Sequence, residues 1–180
     1  KSIVCSRSCG RPIVALEELK QSVATHIASA AGTLREEGLR ARFLTVFVGL
    51  RKQGYGMPYP AGRSMLLDTP TNDTPELIRA AHALAEALYI PGVSYKKVGV
   101  RLTDFSEENA FQLRVFPPSR DASADKRRRL LWGTVDRINA EWGTGTMKFA
   151  AEGVSRGWKP KAQRRTPRYT TRWDELKVVH

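Results

Sequence analysis

A helix and then a strand are encoded by residues 16–48, LEELKQSVATHIASAAGTLREEGLRARFLTVFV. Apolar residues recur at every third or fourth position from Leu16 to Leu34, which predicts an amphipathic helix that ends at Gly38. From Arg42 to Val48 the apolar residues instead alternate with others, as in a strand with one face in a core. The expected core face carries Leu44, Val46 and Val48, and the opposite face carries Phe43, Thr45 and Phe47.

The flanking sequence contains further elements of the same kinds. We predict strands at residues 1–8, Arg63–Leu67 and Tyr95–Leu102. A second helix is expected to be capped by Thr74 and to carry Pro75 at its first position. The resulting order, β-α-β-β-α-β, predicts an α+β, ferredoxin-like domain with a four-stranded sheet and two helices on one face. The domain is expected to cover residues 1–105 and to leave the other sheet face free for a ligand.

The chain changes in character after this domain. Residues 106–125 have the composition of a linker apart from one apolar segment, and residues 126–180 form a basic extension for which we predict a small α/β unit. A helical stripe in the extension is formed by Leu131, Val135, Ile138 and Trp142. The residues expected to cover this stripe are Phe149, Val154 and Trp158.

The charge of the chain points to its class of partner. The 180 residues hold 30 Lys and Arg against 18 Asp and Glu, a net charge of +12. Residues 1–110 hold 14 basic and 11 acidic groups (+3), and residues 111–180 hold 16 and 7 (+9). Such a basic chain favours a polyanionic partner, DNA or RNA.

The hydropathy of the chain and its first residues bear on its location. No apolar run approaches the roughly 18 residues that a membrane-spanning helix needs, so we expect no membrane contact. The chain begins at Lys1 without Met and without a signal-peptide pattern. We therefore expect a cytoplasmic, nucleoid-associated piece of a longer protein.

Patterns for catalysis and metal binding are not found in the sequence. Cys5 and Cys9 lack the further Cys or His ligands that a zinc site needs. No two carboxylates are paired on a predicted strand, as two-metal catalysis would require. A phosphate-binding glycine loop and a nucleophile elbow are also missing. We expect no catalytic residue, no metal and no cofactor in this chain.

Basic residues on or beside the predicted strands are the candidates for contact with nucleic acid. Arg and Lys bind phosphates without regard to base sequence, and the release of counterions drives that binding. The basic residues that we expect to cluster where the free sheet face meets a ligand are Lys1, Arg7, Arg40, Arg42, Lys52, Arg63, Lys96, Lys97 and Arg101. The predicted contacts among them are Arg7, Arg42, Arg63, Lys96, Lys97 and Arg101.

The apolar segment in the linker has the pattern of a short binding motif. Gln112, Leu113, Val115 and Phe116 stand between polar stretches, where exposed apolar residues are unfavourable unless a partner's pocket receives them. The alternative is that Leu113, Val115 and Phe116 fold back onto the domain.

Several segments resemble UmuC-type Y-family translesion DNA polymerases. Residues 3–8 (IVCSRS) resemble the start of that family's little-finger domain. Residues 69–74 (TPTNDT) are similar to the start of the second helix of that domain, and residues 95–100 (YKKVGV) are similar to its last strand. Residues 112–116 (QLRVF) resemble the bacterial sliding-clamp pentapeptide, with Val115 where Leu is usual. The segments that resemble the UmuC-specific C-terminal extension are 140–146 (AEWGTGT), 151–153 (AEG) and 167–172 (PRYTTR).

The resemblance implies the non-catalytic C-terminal region of an error-prone polymerase that acts in SOS DNA repair and mutagenesis. The catalytic part, with its Mg²⁺-binding carboxylates, would precede Lys1. The resemblance implies that this chain grips damaged or primer-template DNA, and it adds Ser6 and Ser8, which flank Arg7, to the predicted contacts.

Three protein partners are also implied. Residues 112–116 would bind the bacterial sliding clamp, and the extension would meet the processed UmuD dimer and RecA. The predicted partner-binding residues of the extension are Arg168, Tyr169, Arg172 and Trp173.

Two alternatives stand beside this interpretation. RNA-recognition modules share the β-α-β-β-α-β order and stack bases on sheet aromatics, and Phe43 and Phe47 are expected on the free face. The strand that carries them nevertheless lacks the Gly-aromatic signature of those modules. The other alternative is a truncated gene product that competes for the clamp with no polymerase attached.

Overall fold

The order of helices and strands in the first domain is the predicted one. The computed structural model describes residues 1–50, 61–107, 122–160, 166–168, 173 and 176. The elements are β1 (Ile3–Ile13), α1 (Leu16–Glu36), β2 (Leu39–Leu50), β3 (Ala61–Thr71), α2 (Thr74–Leu88), β4 (Tyr95–Glu107) and α3 (Ala122–Trp142), followed by a 3-10 turn at Ala150–Glu152. Among the described residues, no helix has the length and apolarity that a membrane span requires.

The four strands form one antiparallel sheet in the order β1-β4-β2-β3. The prediction of an α+β domain with a four-stranded sheet is confirmed. Both longest strands, β2 and β4, lie at the centre and pair along nearly their whole length, from Leu39 opposite Glu107 to Leu50 opposite Tyr95. β4 therefore continues two residues beyond the predicted domain boundary at residue 105.

One face of the sheet packs against α1 and α2 to form the core. Leu44, Val46 and Val48 of β2 are fully buried, and they pair with Leu102, Val100 and Val98 of β4, which are also fully buried. α1 and α2 contribute buried Leu19, Val23, Ile27, Leu34, Leu77, Ala81 and Ala85. The predicted core face of β2 is confirmed, and its other face points away from the helices.

The start of α2 differs from the prediction by one residue. The N-cap is Asp73, whose Oδ1 accepts the backbone N–H of Glu76 over 3.0 Å, and Thr74 is already the first residue of the helix. Thr74 is fully buried, and its hydroxyl accepts a hydrogen bond of 2.8 Å from Arg35. Asp and Thr are both favourable caps, so composition alone does not choose between neighbours.

The helix of the extension, α3, packs against the helix layer through a face that the periodicity did not predict. Asp136 accepts two hydrogen bonds from Arg35 of α1, at 2.6 and 2.8 Å. The indole ring of Trp132 packs on Phe149 with a centroid distance of 5.2 Å. The predicted stripe is in part exposed, since Leu131 is 53% and Trp142 74% exposed. The expectation that this stripe is covered is therefore wrong for Leu131 and Trp142, whereas Val135 and Ile138 are half-buried.

The segment that follows α3 completes the core of the first domain. Trp158 is buried against that core, and its carbonyl accepts the backbone N–H of Gly10 in β1 over 2.9 Å. A buried ion pair of 2.8 Å between Glu152 and Arg156 holds the turn that precedes it. Val154, which was expected to cover α3, is fully exposed, so that expectation is also wrong.

Candidate nucleic-acid interface

The sheet face opposite the helices is open, and three of its cross-strand rows carry predicted contacts; a fourth row, Thr103–Phe43–Leu66, lies beside the first of them. Residues on this face alternate with the buried core residues of each strand. From β1 to β3, the three rows with predicted contacts read Val4–Arg101–Thr45–Ser64, then Ser6–Gly99–Phe47–Gly62, then Ser8–Lys97–Gly49. No acidic residue occurs in any of these rows. The arrangement places two cations among neutral side chains, most of which are small.

Within the described part of the chain, Lys97 and Arg101 are the two cations of this face, and both side chains are exposed. They stand four residues apart on β4, which corresponds to roughly 13 Å along a strand. Ser6 and Ser8 lie on the neighbouring edge strand, opposite Gly99 and Lys97. Thr45 and Ser64 share a hydrogen bond of 2.9 Å across β2 and β3. Hydroxyls and cations on a flat face are suited to phosphate oxygens.

The central row contains one large side chain, Phe47. A Cβ atom at Gly99 would lie only 2.7 Å from Cε2 of the Phe47 ring and 2.5 Å from Cβ of Ser6. The ring therefore extends from β2 across the bare backbone of β4 towards β1. Only glycine at position 99 allows this approach.

Two predicted DNA contacts, Arg7 and Arg63, leave the sheet on the other side. Arg7 pairs with Val98 and Arg63 pairs with Val46, and both partners are fully buried on the helix-covered face. Because alternate residues point to opposite faces, Arg7 and Arg63 are separated from Lys97 and Arg101. The expectation of one shared basic face is wrong for these two residues.

Arg42 and Lys96 lie where the register is irregular. A shift between Ala41 and Phe43 interrupts the alternation at Arg42, which is half-buried, and its Nε atom is buried with no hydrogen-bond partner among the described residues. Lys96 is exposed at the start of β4, next to the shift between Gly49 and Leu50. Neither residue takes part in the three rows. Of the predicted DNA-binding residues, the structure brings together Ser6, Ser8, Lys97 and Arg101.

The position of Arg7 on the helix-covered face is consistent with the lowered pKa of a buried histidine, His26. His26 of α1 is only 5% exposed. Burial, and secondly the positive charge of Arg7, lower the pKa of His26 from 6.5 to about 4. His26 is therefore neutral near pH 7, and it belongs to the core and not to the open face.

The sequence pattern did not identify Ser64 and Gly99 as members of the open face. The alternation in β2 was sufficient to place Thr45 there beside Phe43 and Phe47. Ser64 and Gly99 required the pairing register of β3 and β4, which depends on strands distant in sequence.

A concave surface lies between α1, the turn before α2, and α3. This cleft of about 930 Å³ is lined by Arg35, Arg128 and Arg137, but also by Glu36, Asp73 and Asp136. Arg35 and Asp136 already neutralise each other. The mixed charge does not select a ligand of one sign, so the open sheet face is the better candidate.

The predicted protein-binding residues are only partly within the described chain. Gln112, Leu113, Val115 and Phe116 lie outside the described residues, as do Tyr169 and Arg172. Arg168 is exposed, and Trp173 is 89% exposed. Within the described part of the chain, no group of three or more His, Cys, Asp or Glu side chains could hold a metal ion.

Two family models match the chain in succession. Residues 1–115 match the impB/mucB/samB family C-terminal domain. Residues 129–179 match a domain of unknown function, DUF4113. The second match begins inside α3, so it covers most of that helix and the segment that carries Trp158.

Curated relatives cover nearly the whole chain. UmuC of Salmonella typhimurium is 35% identical over 177 residues, which are 98% of this chain and 41% of that protein. SamB of Salmonella typhimurium is 33% identical over 98% of the chain and 41% of its own length. MucB of Escherichia coli is 31% identical over 99% of the chain and 41% of its length. The chain thus spans about two fifths of the length of these relatives.

A solved structure is also similar to the chain. It is the little finger domain of PolIV in its complex with the beta-clamp processivity factor, with a TM-score of 0.46 and 14% identity over 64% of this chain and 98% of that chain. The family match over residues 1–115, together with the identity to UmuC, SamB and MucB, confirms the UmuC-type resemblance and shows that the chain belongs to the impB/mucB/samB family.

Proposed function

We propose that this chain is the DNA-binding and clamp-tethering C-terminal region of a UmuC-like, Y-family translesion DNA polymerase. The observation that carries the proposal is the open sheet face, where Lys97 and Arg101 stand on either side of Phe47 among neutral side chains, without an acidic neighbour in their rows. Family membership supports the polymerase part of the proposal. The catalytic groups, with their Mg²⁺, belong to the part of such a protein that this chain does not span.

The chemistry of the open face suits a DNA backbone and not a particular base sequence. Two exposed cations and the hydroxyls of Ser6 and Ser8 are groups that bind phosphate oxygens. The face carries no Asn, Gln or Glu in these three rows for recognition of base edges. Binding should therefore depend strongly on salt and weakly on sequence.

The tether to the clamp would be residues 112–116, which lie between the end of β4 at Glu107 and the start of α3 at Ala122. This position supports the proposal because the motif falls between two packed elements and not within either of them. Leu113 and Phe116 would be the anchors in the clamp's pocket. The processed UmuD dimer and RecA are proposed as further partners, which the exposed Arg168 and Trp173 would contact.

DNA binding is tested by charge reversal with a matched control. Lys97→Glu with Arg101→Glu should weaken binding to primer-template DNA by about tenfold or more, because two phosphate contacts are lost. The control, Arg63→Glu with Arg79→Glu, changes the net charge equally at two exposed residues outside the open face. Fluorescence anisotropy over a series of salt concentrations measures both. Equal loss in the two variants, or a salt-independent affinity, would refute this role of the face.

Clamp binding is tested separately by titration against a purified bacterial clamp. We expect affinity of roughly micromolar strength, as for a short peptide with two anchors. Leu113→Ala with Phe116→Ala should abolish measurable binding, whereas Arg114→Ala should leave it intact. Wild-type affinity in the double variant would remove the motif from the proposal.

The RNA-binding alternative makes a different prediction for the fluorescence anisotropy measurements with nucleic acid. It requires tighter binding to oligo(U) than to oligo(dT), because the 2′-hydroxyl distinguishes the two. The translesion proposal requires no such preference.

A further inference from the structure

The central row of the open face has the shape of a platform with a single aromatic ring on it. Phe47 is half-buried, and the positions directly across from it, Gly99 and Gly62, carry no side chain. Nothing larger than Ser6 stands in the rest of this row. A planar ligand can therefore approach the Phe47 ring without meeting another side chain of that row.

The two cations of the face lie on either side of this ring. Phe47 is opposite Gly99, so Lys97 and Arg101 are its two diagonal neighbours on β4. Diagonal neighbours across a strand pair are roughly 7–8 Å apart, which long side chains can bridge. The order along the face is thus cation, aromatic ring, cation.

We propose that Phe47 stacks on one unpaired base of single-stranded DNA while Lys97 and Arg101 bind the phosphates on either side of it. This inference rests on the proposed DNA-binding function of the same face. Aromatic rings in a basic groove are the common device for holding single strands, because every base offers a stacking surface whatever its identity. In a duplex the bases are already stacked, so Phe47 adds little there. The face should therefore respond to Phe47 chiefly when the DNA is single-stranded.

A purely structural role for Phe47 has a distinct signature. An aromatic side chain that lies across a strand glycine shields the backbone and stabilises the sheet. In that case any apolar side chain that covers Gly99 would serve, and the bases of the DNA would be irrelevant. The Phe47→Leu substitution separates the two roles because leucine keeps apolar cover and removes the ring.

The test uses the whole chain and three DNA probes: a short oligo(dT), an oligonucleotide of the same length made of abasic sites, and a duplex of the same length. We expect the unsubstituted chain to bind oligo(dT) about tenfold more tightly than the abasic strand, since stacking on one base contributes a factor of that order. The Phe47→Leu chain should lose about tenfold for oligo(dT), and clearly less for the duplex and the abasic strand.

Each outcome separates the inference from the function on which it rests. Equal binding of oligo(dT) and abasic DNA by the unsubstituted chain overturns the stacking role, and this comparison needs no folded variant. If Phe47→Leu folds and weakens all three probes equally, the ring is structural and the inference fails while DNA binding stands. If the unsubstituted chain binds none of the probes, the proposed function itself fails.

Discussion

Trp132 of α3 donates its indole N–H to Oδ2 of Asp73 over 3.1 Å, so the residue that caps α2 also anchors the C-terminal helix. The second oxygen, Oδ1, accepts the backbone N–H of Glu76. Asp73 lies in the region that matches the impB/mucB/samB domain, and Trp132 lies in the region that matches DUF4113. One carboxylate thus connects the two family regions, which are in direct contact.

Replacement of Asp73 by Asn should loosen α3 and leave α2 almost unchanged. Asn is as good an N-cap as Asp, so its amide oxygen can still accept the N–H of Glu76. Its NH₂ group would then face the indole N–H of Trp132, and because both groups are donors, the hydrogen bond to Trp132 would be lost. We expect faster amide hydrogen exchange in α3, and a loss of about 1 kcal/mol in the free energy of unfolding.

The matched variant for this experiment is Asp73→Ala, which removes both hydrogen bonds and should cost about 1 kcal/mol more through the lost cap. Exchange in α2 should then increase as well. Unchanged protection of α3 in Asp73→Asn would show that the Trp132 contact does not hold the helix.

Arg35 should be the other main attachment of α3. Its guanidinium donates to both oxygens of Asp136 and also to the carbonyl of Asn72 and the hydroxyl of Thr74, each within 2.8 Å. The Arg35 side chain is only 13% exposed. Asp136→Asn leaves this partly buried cation without its counter-charge, so we expect a loss of about 2 kcal/mol in unfolding free energy.

The control for this prediction is Arg137→Gln, an exposed neighbour on the same helix, which should change stability by less than about 0.5 kcal/mol. Urea denaturation measures both variants. A double-mutant cycle with Arg35→Gln should return a coupling energy of the same order as the loss in Asp136→Asn. Additive effects would contradict a direct interaction.

These contacts explain why the first domain was predictable from sequence and the extension was not. In α1 the apolar spacing from Leu16 to Leu34 is local, and the helix indeed runs from Leu16 to Glu36. In α3 the same kind of spacing selected Leu131 and Trp142, which are exposed. The face that packs there is chosen by Trp132 and Asp136, whose partners lie 59 and 101 residues away in sequence. Periodicity carries no information about such distant partners.

The candidate site was predictable only in part for a related reason. Alternation along β2 placed Phe47 on the free face correctly. The expectation for Arg7 required the pairing of β1 with β4, and there a difference of one residue moves a side chain to the opposite face. Lys97 and Arg101 thus share the face with Ser6 and Ser8, and Arg7, between those serines, does not.

Trp158 should contribute more to the stability of the first domain than any exposed tryptophan of the extension. It is 4% exposed and packs in the core, whereas Trp142 is 74% exposed. Trp158→Ala should cost about 4 kcal/mol because it opens a large cavity. Trp158→Phe should cost much less, since the buried indole N–H has no hydrogen-bond partner among the described residues to lose.

Trp142→Ala, the control, should change stability by less than about 0.5 kcal/mol in thermal or urea unfolding. A small loss in Trp158→Ala would mean that the extension is not part of the folding unit.

The stability of the domain should fall on acidification in a window set by His26. Burial and the charge of Arg7 lower its pKa from 6.5 to about 4 in the folded chain. Above pH 6.5 the imidazole is neutral in both states, so its full contribution to stability is present. Between pH 6.5 and 4 the unfolded chain binds a proton that the folded chain excludes, and stability therefore decreases as the pH falls.

A shift of this size corresponds to a loss on the order of 3 kcal/mol by pH 4. The pKa of His82 is also lowered, mainly by burial, and acts in the same direction. Urea unfolding at several pH values, for the unsubstituted chain and for His26→Gln, isolates the contribution of His26 because the carboxylates and His82 are common to both. As the pH falls from 6.5 towards 4, the unsubstituted chain should lose unfolding free energy relative to the His26→Gln chain, so the difference between the two chains should change over this range. If that difference stays constant across this range, His26 does not titrate with a lowered pKa, and the acid sensitivity of the domain must come from other groups.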